Sequence, residues 1–257
     1  MKPIIRAPGD NPAGPHTLDR RNLIRAAAAG MAAGLLPTSS GAQAQAEGSA
    51  GISGLETKAF DQAHQPKPLS FDAAKLNGLS ARLIESHWSN NYGGSVRALN
   101  ETNKRLAAAL SDADVPAFVY NDLKREHLMR TGSVILHELY FDNLGGDGQA
   151  ASGTRQLLGS AFGDFDRWET EFRRIAAGLG GGSGWVVLGY NRHFDALENY
   201  WMADHMHSPA TTVPLLVMDM YEHSYHMDFG AATARYIDAF FDNINWDSVA
   251  ARIEDIR

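Results

Sequence analysis

Asp219-Met220-Tyr221-Glu222-His223-Ser224-Tyr225 is the stretch on which the reading of this chain turns. A carboxylate and an imidazole stand four residues apart, directly after the apolar run Val213 to Met218. On a helical turn that spacing puts both side chains on one face. The run itself is apolar nearly throughout, which predicts a buried, central strand. Carboxylate oxygen and imidazole nitrogen together suit a first-row metal ion such as iron or manganese. Met218, Met220 and Tyr221 around them place the pair at the margin of a core.

Working outward, two more histidines lie on apolar stripes. Leu76, Leu79, Leu83, Ile84 and His87 follow a 3.6-residue period, continued by Val96, Leu99, Leu106 and Leu110. Gly93-Gly94 predicts a kink or break in that helix, since each glycine costs about 1 kcal/mol relative to alanine. Pro116 opens a second long helix, from about Ala117 to Asn143, with His137 on the face of Val134 and Phe141. The two helices predict an antiparallel hairpin. With Asp219 and His223, His87 and His137 make a set of three histidines and one carboxylate drawn from both halves of the chain.

After the linker Gly145-Gly146-Asp147-Gly148, helices are expected over Thr154 to Phe162 and Asp164 to Gly178, with Asp164 as an N-cap. Strands are expected over Trp185 to Tyr190, Phe194 to Trp201 and Val213 to Met218, then helices over Ala231 to Asn243 and Asp247 to Asp255. The fold class is therefore α+β: an N-terminal helical hairpin, then a three-stranded antiparallel sheet with flanking helices. The predicted divisions are residues 1–46, residues 47–143 (a loose polar lead-in to about residue 68, then the hairpin) and residues 154–257.

The 257 residues include ten histidines and no cysteine, which excludes disulfides, thiolate metal sites and thiol catalysis. A net charge of −7 argues against nucleic-acid binding. Residues 1–46 read as an export signal. Arg20-Arg21 precedes the uncharged run Ala26 to Leu36, and small-residue cleavage triplets follow at Ala42-Gln43-Ala44 and Ala44-Gln45-Ala46. The adjacent arginines predict the twin-arginine route and a periplasmic or otherwise exported protein. Without that segment, 211 residues and a net charge of −10 would remain. No later segment is expected to span a membrane.

These motifs resemble the iron/manganese superoxide dismutase family along most of the chain. The 219–225 stretch is similar to its D-x-W-E-H-A-Y signature. Gly182-Ser183-Gly184-Trp185 resembles its G-S-G-W strand start, Pro214-Leu215-Leu216 its P-L-L strand, and Ile244-Asn245-Trp246 its (V/I)-N-W element. His137-Glu138-Leu139-Tyr140-Phe141-Asp142-Asn143-Leu144 resembles one ligand helix, and His87 with Val96-x-x-Leu99-Asn100 the other. The resemblance implies one iron or manganese ion per subunit, held by His87, His137, Asp219 and His223, which would carry the catalysis. It also implies a homodimer in which Glu222 bridges to the partner's metal-ligand histidine.

Around those four the chain departs from the family pattern. The family's gateway tyrosine, eight residues after the first ligand, is Ser95, and the histidine four after that ligand is Asn91. The tryptophan two after Asp219 is Tyr221, and the tyrosine three after the last ligand is His226. The active-site glutamine is absent from both family positions: Ser133 occupies one, and the stretch Asn199 to His207 offers none. Iron and manganese therefore both stay open. Tyr92, His205 and His207 are the groups that could stand in nearby, with His226 facing Asn91 across a dimer, and Trp185 is expected among the residues around the ligands. Superoxide is an anion, so an acidic chain needs a local basic funnel, for which Arg97, Lys124, Arg125 and Arg130 are available. The expected function is an exported superoxide dismutase. The alternatives are a protein of the same fold with another redox activity, or an exported metal-binding protein without catalysis.

Overall fold

The computed structural model describes residues 59–256, so the predicted export signal lies outside the described residues. The first helix begins at Ser80, whose hydroxyl accepts a hydrogen bond from the Leu83 amide at 3.1 Å and donates to Asp228 at 2.7 Å. α1 (Ala81–Ser86) runs directly into a π-helical turn, His87–Tyr92, and on into α2 (Gly93–Leu110). The chain does not break at Gly93-Gly94. The irregularity is the wider turn just before it, which places the buried residues His87 and Tyr92 five apart instead of four. Beside the glycines runs the Arg97 guanidinium, which would lie 3.3 Å from a Cβ at Gly93 and 3.8 Å from one at Gly94. Leu110 falls off the buried stripe and is 65% exposed.

α3 (Ala117–Asp142) follows Pro116, whose fixed φ of −62° suits a helix start. Tyr92 bonds to Glu138 and Ser95 to Ser133, so the numbering falls along α3 as it rises along α2. The two helices therefore run antiparallel. The lead-in before them is fixed, not loose, where it is described. Asn100 exchanges two hydrogen bonds with the His64 backbone at 2.8 and 2.9 Å, the Lys67 amide donates to the Tyr92 hydroxyl at 2.7 Å, and Trp88 Nε1 donates to the Lys67 carbonyl at 2.9 Å. The polar composition of this segment reads as a loose lead-in. Its backbone groups are satisfied by side chains of α2 and the π turn, an arrangement that leaves no periodic signature.

α4 (Ser152–Phe162) and α5 (Phe165–Leu179) come next, with Asp164 capping α5 through Arg167 N at 2.6 Å. The sheet comprises β1 (Trp185–Asn191), β2 (Ala196–Met202) and β3 (Thr212–Asp219), antiparallel throughout, in the order β2-β1-β3. β3 is thus an edge strand and β1 the central one, which corrects the expectation for Val213 to Met218. The apolar run is explained by helices and side chains that close the open edge. Asn143 Nδ2 donates to Val217 O at 3.0 Å, and Arg252 Nε donates to Leu215 O at 2.9 Å. A covered edge is as apolar as a paired one.

After β3 come a 3₁₀ turn (Glu222–Ser224), α6 (His226–Phe229), α7 (Thr233–Asp242) and α8 (Trp246–Glu254). One core joins both halves: Leu83, Ile84 and Tyr140 from the helices, Trp185 to Leu188 and Leu215 to Met218 from the sheet, and Phe240 from α7, all essentially inaccessible. Each such large side chain contributes about 1.5–3 kcal/mol by leaving water. The packing fixes α3 against β3, and so fixes His137 against Asp219. Among the described residues, no helix is long and apolar enough to cross a membrane.

Candidate metal centre

His87 comes from the π turn, His137 from α3, Asp219 from the last position of β3 and His223 from the 3₁₀ turn. Asp219 and His223 are brought together by a strand end and a tight turn, not by a helix. Their ligand atoms all lie within 4.8 Å of one another. Three imidazole nitrogens converge on one oxygen: Asp219 Oδ2 is 3.2 Å from His87 Nε2, 3.2 Å from His223 Nε2 and 3.6 Å from His137 Nε2. His87, His137 and Asp219 are buried, and His223 keeps a quarter of its side chain exposed.

The surroundings orient each donor. His137 Nδ1 donates to the Ser133 carbonyl at 2.7 Å, so its proton sits there and the Nε2 lone pair points into the cluster. The other Asp219 oxygen, Oδ1, accepts from the Tyr221 amide at 2.8 Å. The Asp219 carbonyl accepts from the Tyr236 hydroxyl at 2.6 Å and the Ser224 hydroxyl at 3.0 Å. Burial lowers the pKa of His87, and burial together with His87 lowers that of His137 to about 3. Both are therefore neutral at physiological pH. Burial alone would raise the Asp219 carboxyl, but His223 and His87 beside it hold it well below the usual carboxylate range. The result is a buried carboxylate facing the neutral imidazoles of His87 and His137, the protonation state in which both can donate a lone pair to a cation.

That donor set fits an iron or manganese ion on an independent observation. Among the described residues, His87 Nε2, His87 Nδ1 and His137 Nε2 are buried without a hydrogen-bond partner. Unsatisfied buried nitrogens are costly. Two of the three border the space among the four side chains, where one cation would satisfy them together with the carboxylate.

The structure sorts the other predicted positions. Ser95 and Ser133 are buried and bonded to each other at 2.8 Å, and Ser133 Oγ lies 3.3 Å from His137 Nδ1. Tyr92 packs its ring 6.3 Å from that of His137, but its hydroxyl turns away, donating to Glu138 at 3.0 Å. Trp185 stands edge-on to His137, with ring centroids 5.1 Å apart, and Tyr221 stacks on His223 at 5.3 Å. Asn91 is half-buried and makes no hydrogen bond to the four. Glu222 and His226 are exposed, and His207 turns outward to Asp204 at 2.8 Å. Of the basic side chains, Lys124 lies over the Phe60 ring and Arg130 pairs with Glu126 at 2.7 Å.

His205 is the residue whose part sequence reasoning left open. Its Nδ1 accepts from Trp185 Nε1 at 3.0 Å, and its ring stacks on Tyr221 at 4.8 Å and lies 5.9 Å from His137. An accepting Nδ1 leaves the proton of the neutral ring on Nε2, so His205 is a hydrogen-bond donor beside the cluster. Its only signal in the sequence is its place in the stretch Asn199 to His207, where the resemblance leads one to expect a glutamine.

The comparisons agree with the geometry. Residues 151–252 match the model of the C-terminal domain of iron/manganese superoxide dismutases. A superoxide dismutase [Fe] of Cupriavidus metallidurans is 49% identical over 189 residues, covering 74% of this chain and 95% of the relative. A superoxide dismutase [Fe] of Aquifex aeolicus is 35% identical over 70% of this chain and 86% of its own length. A superoxide dismutase [Mn] of Mycobacterium intracellulare is 30% identical over 72% and 89%. With three histidines and an aspartate gathered in the core of a helix-pair and three-stranded-sheet fold, and relatives of this similarity along nearly their whole length, the chain belongs to the iron/manganese superoxide dismutase family.

Proposed function

We propose that this chain is an exported, homodimeric superoxide dismutase that holds one iron or manganese ion per subunit through His87, His137, Asp219 and His223. The observation that carries the reading is the convergence of three imidazole nitrogens on Asp219 Oδ2, with His137 locked in the ligating tautomer. The reaction takes two superoxide anions and two protons to oxygen and hydrogen peroxide. The bound metal would supply the one-electron exchange. The chain's own residues do the rest: Ser133 O holds the His137 ring, the Tyr221 amide holds the carboxylate, and Tyr236 and Ser224 hold the Asp219 backbone.

Protons need a donor near the centre. Trp185 fixes the His205 ring with its Nε2–H free to donate, which suits His205 to orient a small anion or a water beside the ligands. Tyr221, packed between His205 and His223, is pushed up to about 12 by burial and by Asp219, so it stays a neutral phenol. Burial of Trp185, Tyr140 and Phe141 around the imidazoles excludes bulk water from the ligand side. Glu222 and His226 are exposed beside His223, itself a quarter exposed, which supports a partner subunit at that surface.

The Arg20-Arg21 pair, the apolar run and the A-x-A triplets support export by the twin-arginine route. Cell fractionation tests it, and retention of the whole chain in the cytoplasm contradicts it. A second reading, a different redox activity on the same centre, is favoured by Ser95 and Asn91, where the resemblance leads one to expect larger groups. Superoxide consumption by the metal-loaded protein separates the two. Turnover of an organic or peroxide substrate without superoxide consumption would select the second.

A further inference from the structure

α3 carries a glycine where a helix gains nothing from one. Gly132 lies in its interior, one residue before Ser133 and five before His137. Glycine is the poorest helix former after proline. A Cβ at this position would fall 1.9 Å from the His205 carbonyl oxygen, 2.9 Å from its carbonyl carbon and 3.5 Å from its Cβ. The obstacle is main chain, so no side-chain rotation relieves it.

We propose that Gly132 is a positioning residue of the centre: the side chain it lacks leaves the seat on α3 for the His205 carbonyl, and that seat sets where the His205 ring meets Trp185. The proposal rests on the reading of His87, His137, Asp219 and His223 as the metal centre. The loop between β2 and β3 has its own stiffness, with the Met206 amide and the His207 ring both bonded to Asp204 at 2.6 and 2.8 Å. It therefore docks as a piece. Shifting the carbonyl by the ångström or more that a methyl group demands moves the whole His205 residue. The Trp185–His205 bond of 3.0 Å and the stack on Tyr221 at 4.8 Å tolerate little of that. α3 thereby holds two parts of one centre: it carries His137 and, five residues earlier, seats the loop that carries His205.

The test compares Gly132→Ala with Gly153→Ala and Gly178→Ala, two other helical positions where a Cβ meets nothing within 4 Å. The readout is the Trp185 indole N–H resonance in NMR spectra of the metal-free protein, assigned by its loss in Trp185→Phe. In Gly132→Ala the indole proton is expected to shift upfield and to exchange with solvent at least tenfold faster, while both controls keep the original signal. An unshifted, equally protected indole in folded Gly132→Ala protein would overturn the proposal. Should Gly132→Ala fail to fold, main-chain hydrogen exchange of residues 203–205 and 207 in the unaltered protein decides, Met206 being set aside because Asp204 holds its amide: slow exchange supports the seat, and exchange at the rate of an exposed loop overturns it. Because the indole is read without metal and without substrate, it is separate from the functional reading. An unaltered chain that binds no metal would remove that reading whatever the indole shows.

Discussion

Two rings of residues around the same point behave differently. The inner ring, His87, His137, Asp219 and His223, is drawn from four separate elements. Each member is set by regular structure: a π turn, a helix, a strand end and a 3₁₀ turn. The outer ring, Ser95, Ser133, Trp185, His205 and Tyr221, is set by side-chain contacts and by a docked loop. The inner ring gathers ligand atoms within 4.8 Å of one another, whereas the outer ring surrounds them with hydrogen bonds and ring contacts. Holding a metal needs lone pairs at one point. Tuning what the metal does needs hydrogen bonds around it, and those can be supplied from different places.

The difference can be broken or sharpened by substitution. The largest effect is expected from Asp219→Ala, which leaves three imidazoles without their charge. Metal content measured by elemental analysis should fall from about one ion per chain to a small fraction, with superoxide consumption lost by at least about a hundredfold. Next is removal of the metal from the unaltered protein by a chelator. A metal present at about a thousand times its dissociation constant stabilises the folded state by about 4 kcal/mol. Its loss should lower the melting temperature by roughly 10 °C at this chain length, read by calorimetry.

An outer-ring change should part company with both. His205→Ala is expected to keep full metal content while lowering dismutase turnover by about ten- to a hundredfold, as loss of a hydrogen-bonding neighbour does at metal sites. Equal losses of metal and turnover would erase the distinction between the rings. Smaller still, Ser95→Ala deletes one buried hydrogen bond to Ser133 and should cost about 1 kcal/mol of stability in denaturant unfolding, with metal content unchanged. Tyr92→Phe should cost a similar amount or less and loosen residues 60–68. Faster proteolysis of that segment, without loss of metal, is the result to look for.

The inner ring was legible in the sequence because its determinants are local. His87 and His137 sit on apolar helical stripes, and Asp219 and His223 flank a turn after an apolar strand. The outer ring was legible only in part, because its determinants are tertiary. No local pattern says that the His205 carbonyl rests on Gly132, or that Trp185 reaches across to His205 and not to another acceptor. The same limit explains β3. An apolar run reports burial on both faces, and it cannot say whether the covering comes from a neighbouring strand or from Asn143 and Arg252. It explains the π turn as well, since a five-residue step between His87 and Tyr92 looks in sequence like an ordinary helix with a glycine pair behind it.

The measurement that tests the account most directly is made on a single sample of the purified chain. Its iron and manganese content and its consumption of superoxide are determined together. The account predicts close to one iron or manganese ion per chain and superoxide consumption well above that of the same amount of free metal. A fully loaded protein that consumes superoxide no faster than free metal would contradict it.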